Sequence, residues 1–143
     1  MREITVLYDG TAFTFKWIKA LFWASNRLRD LGYKVSFPNL EWALPRHEKS
    51  NKDILKIVNS RNFDIVCLAF HHSTSEIGKS ESETRINIMQ QLRKRSNWIV
   101  WLDTADSTGT CMFDVLPFVD KYLKVTIQRL PMQLPSMLRT EHG

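Results

Sequence analysis

Cysteine, glycine and proline are scarce in this chain of 143 residues, which has two, five and five of them. Two cysteines, Cys67 and Cys111, are too few for a disulfide framework. Cys67 also lies in an apolar run, where a free thiol packs as a small hydrophobe, so a reducing, cytoplasmic setting is expected. The low glycine and proline content excludes collagen-like and low-complexity chains. Long hydrophobic runs are missing too. The apolar stretch after Met1-Arg2-Glu3 falls well short of a signal-peptide core or of the ~20 residues a membrane span needs. Charge of one sign is limited: Lys plus Arg is 20 against 15 for Asp plus Glu, a net +5. Much of that excess sits in residues 121–143, where Lys121, Lys124, Arg129 and Arg139 face only Glu141. Little remains to hold a phosphate backbone and no helix shows a basic stripe, so nucleic acid is not an expected partner.

What is present is a core. Hydrophobic residues make up 43% of the chain, and its length suits one domain, expected over residues 1–128 with an irregular tail at 129–143. Ile4 to Tyr8, closed by Asp9-Gly10-Thr11, reads as a buried strand. Phe13 to Leu31 places Trp17, Leu21, Ala24, Leu28 and Leu31 on one helical face, with Gly32 as the stop. Trp23 falls one residue off that face and is a candidate for exposure. Lys34 to Pro38 alternates as a strand nearer the sheet edge. Ser50 to Asp53 looks like a capping box ahead of a short helix. Ile65 to Phe70 is the most continuous apolar strand, hence central. Ser80 and Glu83 repeat the capping pattern before a helix with Ile86, Met89 and Leu92 on one side and Arg85, Arg93 and Arg95 elsewhere. Trp98 to Leu102 is a strand, Asp114 to Tyr122 a short helix broken near Pro117, and Leu123 to Ile127 a fifth strand. This alternation predicts an α/β fold: an open, Rossmann-like, three-layer parallel sheet.

Open α/β sheets bind ligands beyond the carboxyl ends of their strands. Three polar loops are expected there: Asp9-Gly10-Thr11, His71 to Ser75, and Asp103 to Thr110. In the last, Asp106, Ser107, Thr108 and Gly109 either fold the loop and cap the next helix or offer hydrogen bonds to a ligand. His71 and His72 point to opposite faces of an extended backbone, so the pair does not chelate a metal. With no cluster at ligand spacing, no metal is expected. One of the two is either a structural histidine or a base. No G-x-G-x-x-G or G-x-x-x-x-G-K-[ST] occurs, and no cofactor is expected. Asp9-Gly10-Thr11 is similar to the nucleophile loop of haloacid-dehalogenase-like phosphatases, but Leu7 stands where their nucleophilic Asp would be, which removes that chemistry.

At the same segments, Tyr8-Asp9-Gly10 with Phe13, His71 with Ser73-Thr74-Ser75, and Trp101 to Thr110 followed by Phe113 to Asp120, the chain resembles the N-terminal domain of bacterial GT-B-like glycosyltransferases of surface-polysaccharide synthesis. The match runs over roughly residues 3–124, and Val125 to Gly143 departs from the pattern, as an altered or truncated end would. The resemblance implies an acceptor-side domain, not catalytic alone, that meets a glycan or lipid-linked acceptor and takes its donor domain from a partner chain. On this view His71 or Asp103 is the base, and Asp9, Gly10, Ser73, Thr74, Asp106, Ser107, Thr108 and Gly109 bind substrate. The alternative is a noncatalytic α/β domain that binds a glycan, nucleotide or protein partner through the same edge.

Overall fold

Apolar, β-branched runs build the middle of one five-stranded sheet. In the computed structural model, which describes residues 1–10, 12–39, 51–71, 83–104 and 111–124, the strands are β1 (Arg2–Tyr8), β2 (Tyr33–Ser36), β3 (Phe63–Ala69), β4 (Ser96–Asp103) and β5 (Lys121–Lys124). The helices are α1 (Ala12–Trp23), α2 (Ser25–Asp30), α3 (Asn51–Ser60) and α4 (Glu83–Arg95), with a 3₁₀ helix at Phe113–Phe118. The strand order is β2-β1-β3-β4-β5 and every pairing is parallel. The expected α/β sheet is therefore present. Its order is the doubly wound one in which the chain switches direction between β1 and β3, not the 3-2-1-4-5-6 order of dinucleotide-binding sheets.

Strand alternation divides the core in two. On one face Leu7, Val66, Leu68, Phe70, Ile99 and Trp101 pack against Ile54 and Val58 of α3 and Ile88, Met89 and Leu92 of α4. On the other face Val6, Tyr8, Cys67 and Ala69 pack against Ile18, Phe15 and Leu21 of α1. Burial pushes the Cys67 thiol up to about 12, so it packs as an inert apolar group. Helices on both faces give the three layers.

Three local expectations are corrected. The Phe13 to Leu31 helix is two helices, and its buried stripe runs through Thr14 and Ile18 while Trp17 and Leu31 are exposed. The stripe sits one residue from the expected face because Thr14 is drawn inward by a hydrogen bond to Asp9. Trp23 is exposed as anticipated. In α4 the buried face is Arg85, Ile88, Met89 and Leu92. Arg85 lies inside because its guanidinium pairs with Asp114 of the 3₁₀ helix, which neutralises a charge that burial alone would forbid. The fifth strand begins two residues early, at Lys121. Val125 to Ile127 and the tail at 129–143 lie outside the described residues. Among the described residues no helix is long and apolar enough to cross a membrane.

Candidate binding site at the carboxyl edge of the sheet

Parallel register brings the ends of β1, β3 and β4 level. Tyr8 pairs with Ala69 and Ala69 with Leu102, so Asp9, Phe70 and Asp103 each stand one residue further on. All three are buried. The sequence places His71, Asp9 and Asp103 together at one edge, and the structure does the same.

Asp9 is 2% exposed. Its Oδ2 accepts the His71 amide at 2.8 Å and the Thr14 hydroxyl at 2.8 Å, tying the end of β1 to the exit of β3 and to α1. Gly10 follows with φ of 81°, a left-handed conformation that costs glycine nothing. Asn39, beyond β2, donates its Nδ2 to the Tyr8 carbonyl at 2.6 Å. Its Oδ1 is buried and has no partner among the described residues.

Asp103 is held from the other side. Its Oδ2 accepts the Tyr122 hydroxyl at 2.7 Å and Lys124 Nζ at 3.0 Å, both from β5. The Tyr122 oxygen in turn accepts the Met112 amide at 3.1 Å, which anchors the start of the 3₁₀ helix. Burial, then the Asp103 carboxylate, raises the Tyr122 phenol well above its ordinary value, the Met112 amide opposing them in part. The phenol therefore stays a donor throughout the neutral range. Next in sequence, Thr104 is 1% exposed and its hydroxyl has no partner among the described residues.

Among the described residues Asp9 is hydrogen-bonded to α1 and the exit of β3, and Asp103 to β5. Strands β1 and β4 lie two strand spacings apart, about 10 Å, while a cation binds its oxygens at about 2.0–2.6 Å. Between them the central strand supplies Phe70, whose ring packs on Trp101 with centroids 5.8 Å apart. Among the described residues no three or more His, Cys, Asp and Glu side chains are grouped so as to hold a metal ion.

Of the sequence-derived candidates, Asp9, Gly10, His71 and Asp103 are brought to this edge. Ser73, Thr74, Asp106, Ser107, Thr108 and Gly109 lie outside the described residues. The sequence reading missed Asn39, Thr104, Tyr122 and Lys124. Lys124 and Tyr122 carry the alternation of an edge strand, but nothing in spacing tells which strand lies beside β4.

No family model matches the chain and no curated protein matches it. Among solved structures it is similar to the response regulator TrrA from Thermotoga maritima, determined with Mg²⁺ and BeF, at 18% identity and a TM-score of 0.50 over 90% of each chain. A complex of histidine kinase ThkA with TrrA matches at 19% identity and a TM-score of 0.46, covering 87% of this chain and 85% of that one. The likeness is one of fold. It overturns the glycosyltransferase resemblance, because the matching structures are response regulators and not sugar-transferring enzymes. The acceptor-side function, the polysaccharide role, the glycan or lipid-linked acceptor and the donor-domain chain fall with it. The motif match misled because strand-end loops rich in Asp, Ser, Thr and Gly recur wherever open α/β sheets expose their carboxyl edge.

Proposed function

We propose that this chain is a receiver-like α/β domain that acts by binding a protein partner at the carboxyl edge of its sheet, without catalysing a reaction there. The observation that carries the reading is that two buried polar atoms at that edge, Asn39 Oδ1 and Thr104 Oγ1, have no hydrogen-bond partner among the described residues. A buried polar group without a hydrogen bond costs roughly 1–3 kcal/mol, and a docking partner with amide or hydroxyl donors would relieve that cost. Asp9, Gly10, His71 and Asp103 form the proposed rim.

A protein fits better than a small metabolite. The hydrogen bonds linking Met112, Tyr122 and Asp103 fix the start of the 3₁₀ helix, where Phe113 is 70% exposed and Leu116 is exposed beside it. Exposed apolar side chains of this size on a short helix suit a protein interface. Phosphoryl chemistry, suggested by the Mg²⁺ and BeF of the similar response regulator, is disfavoured by the apolar Phe70 that β3 supplies at the level of Asp9 and Asp103.

A photo-crosslinking residue at position 113, with position 23 as control, tests the reading inside cells. A discrete crosslinked protein from 113, lost when Thr104→Val is added, is expected. The companion test is mass spectrometry after incubation with Mg²⁺ and acetyl phosphate, with an unchanged mass expected. Absence of crosslinks at 113, or the gain of one phosphoryl group, would overturn the proposal.

A further inference from the structure

At the opposite, amino edge of the sheet lies a cleft of about 410 Å³. Its walls carry opposite charges on different elements: Glu3 and Asp64 come from the starts of β1 and β3, and Lys94 and Arg95 from the last turn of α4, with Ser96 heading β4. These charges are not cancelled across the cleft. The Glu3 carboxylate is held by the Ser36 hydroxyl at 2.6 Å and by Arg61 at 3.5 Å. Among the described residues Asp64 accepts only neutral donors, the Glu3 amide at 3.1 Å and the Asn97 side chain at 3.5 Å. Among the described residues neither Lys94 nor Arg95 has a hydrogen bond or ion pair. Ser96 is buried, and its hydroxyl has no partner among the described residues. A basic last turn offsets the helix dipole, but that role leaves Asp64 without a counter-charge and Ser96 unsatisfied.

We propose that this cleft binds a small zwitterion of the amino-acid type, with its ammonium against Asp64 and its carboxylate against Arg95 and Lys94. A pure anion would meet the two carboxylates and a pure cation the two bases, whereas a dipolar ion satisfies both walls. The planar guanidinium fork matches a carboxylate, and Ser96 hydrogen-bonds the same group. The volume falls in the range of small-molecule sites, about 300–1,000 Å³.

The test is an NMR titration of the full chain with glycine, serine and glutamine at millimolar concentration, alongside N-acetylglutamine and glutaminamide, which block one charge each. At least one free amino acid should shift the Asp64, Ser96 and Asn97 amides, with affinity falling about tenfold or more when either charge is blocked. Arg95→Gln, at the half-buried end of α4, should weaken binding similarly, and Ser96→Ala less. Three results would sink the idea: no shifts with any free amino acid, equal binding of N-acetylglutamine, or an Arg95→Gln variant that binds as well as the parent. The first concerns this cleft alone and leaves the carboxyl-edge reading untouched.

Discussion

Single side chains at the carboxyl edge hold several elements at once, so their loss is felt beyond the site. Asp9→Ala removes one oxygen that serves both the His71 amide and the Thr14 hydroxyl. Two buried donors would lose that acceptor, for a loss of about 3 kcal/mol, measurable as a lower urea midpoint with an unchanged slope. Asp9→Asn keeps an acceptor and should lose less. Tyr122 sets a pH limit of its own. Its phenol is raised above the ordinary value of 10.0, chiefly by burial, so the folded state prefers the protonated form. That contribution is fully present below pH 10 and is lost as the pH climbs from there through the folded value, because the unfolded chain ionises first. Stability should be insensitive to this group from pH 7 to 9 and fall above 10. Tyr122→Phe should remove that alkaline slope while costing about 1–2 kcal/mol at neutral pH, since Met112 and Asp103 lose their shared hydroxyl. At the acid end, burial raises the Asp120 carboxyl, but hydrogen bonds from Arg93 and the Ile99 amide, with the Arg93 charge, outweigh it and hold the carboxyl below its ordinary value.

Whole elements were legible where one pattern decided them. The run Ile65 to Phe70 has no polar residue, so only a strand covered on both faces suits it, and β3 is central with β1 and β4 on either side. Gly32 was readable as a stop because a helix must turn there into a strand. Its φ is +88°, nothing lies within 4 Å of a Cβ built on it, and its carbonyl accepts the Arg2 amide at 3.0 Å. Gly32→Ala therefore meets no clash and should cost only the left-handed backbone, roughly 1–2 kcal/mol, with Gly32→Asn costing less; thermal unfolding would show it. Helix faces were less legible. Trp17 and Ile18 are both apolar, and periodicity alone did not say which turns inward; the Thr14 bond to Asp9 decides it. Arg85 looked like a surface charge because its partner Asp114 is 29 residues away. The candidate site was half legible for the same reason. Strand ends reveal Asp9, His71 and Asp103, whereas the partners that occupy Asp103 come from a strand whose neighbour only the fold determines.

At the scale of the whole molecule, stability should be graded outward from β3. That strand pairs along its length with β1 and β4, and Val66, Leu68 and Ala69 are fully buried within the two cores. Opening it requires both layers to separate, so its amides should exchange with solvent only through global unfolding. The four-residue strands β2 and β5 each have a single neighbour. None of the β2 residues is fully buried, and Leu123 of β5 is 51% exposed. These edges are able to detach without breaking the packing of α3 and α4 against the centre. Native-state hydrogen exchange should therefore rank Val66, Cys67 and Leu68 slowest, then the central residues of β1 and β4, with β2 and β5 faster. Asp120 adds one refinement: its Oδ2 accepts the Ile99 amide at 2.7 Å and its own amide donates to the Ile99 carbonyl at 2.9 Å, clipping the entry of β5 to β4. Within β5, Tyr122 should thus exchange more slowly than the β2 amides. Exchange from β2 as slow as from β3 would show that the sheet opens as one unit, contrary to the division into a rigid centre and separable edges.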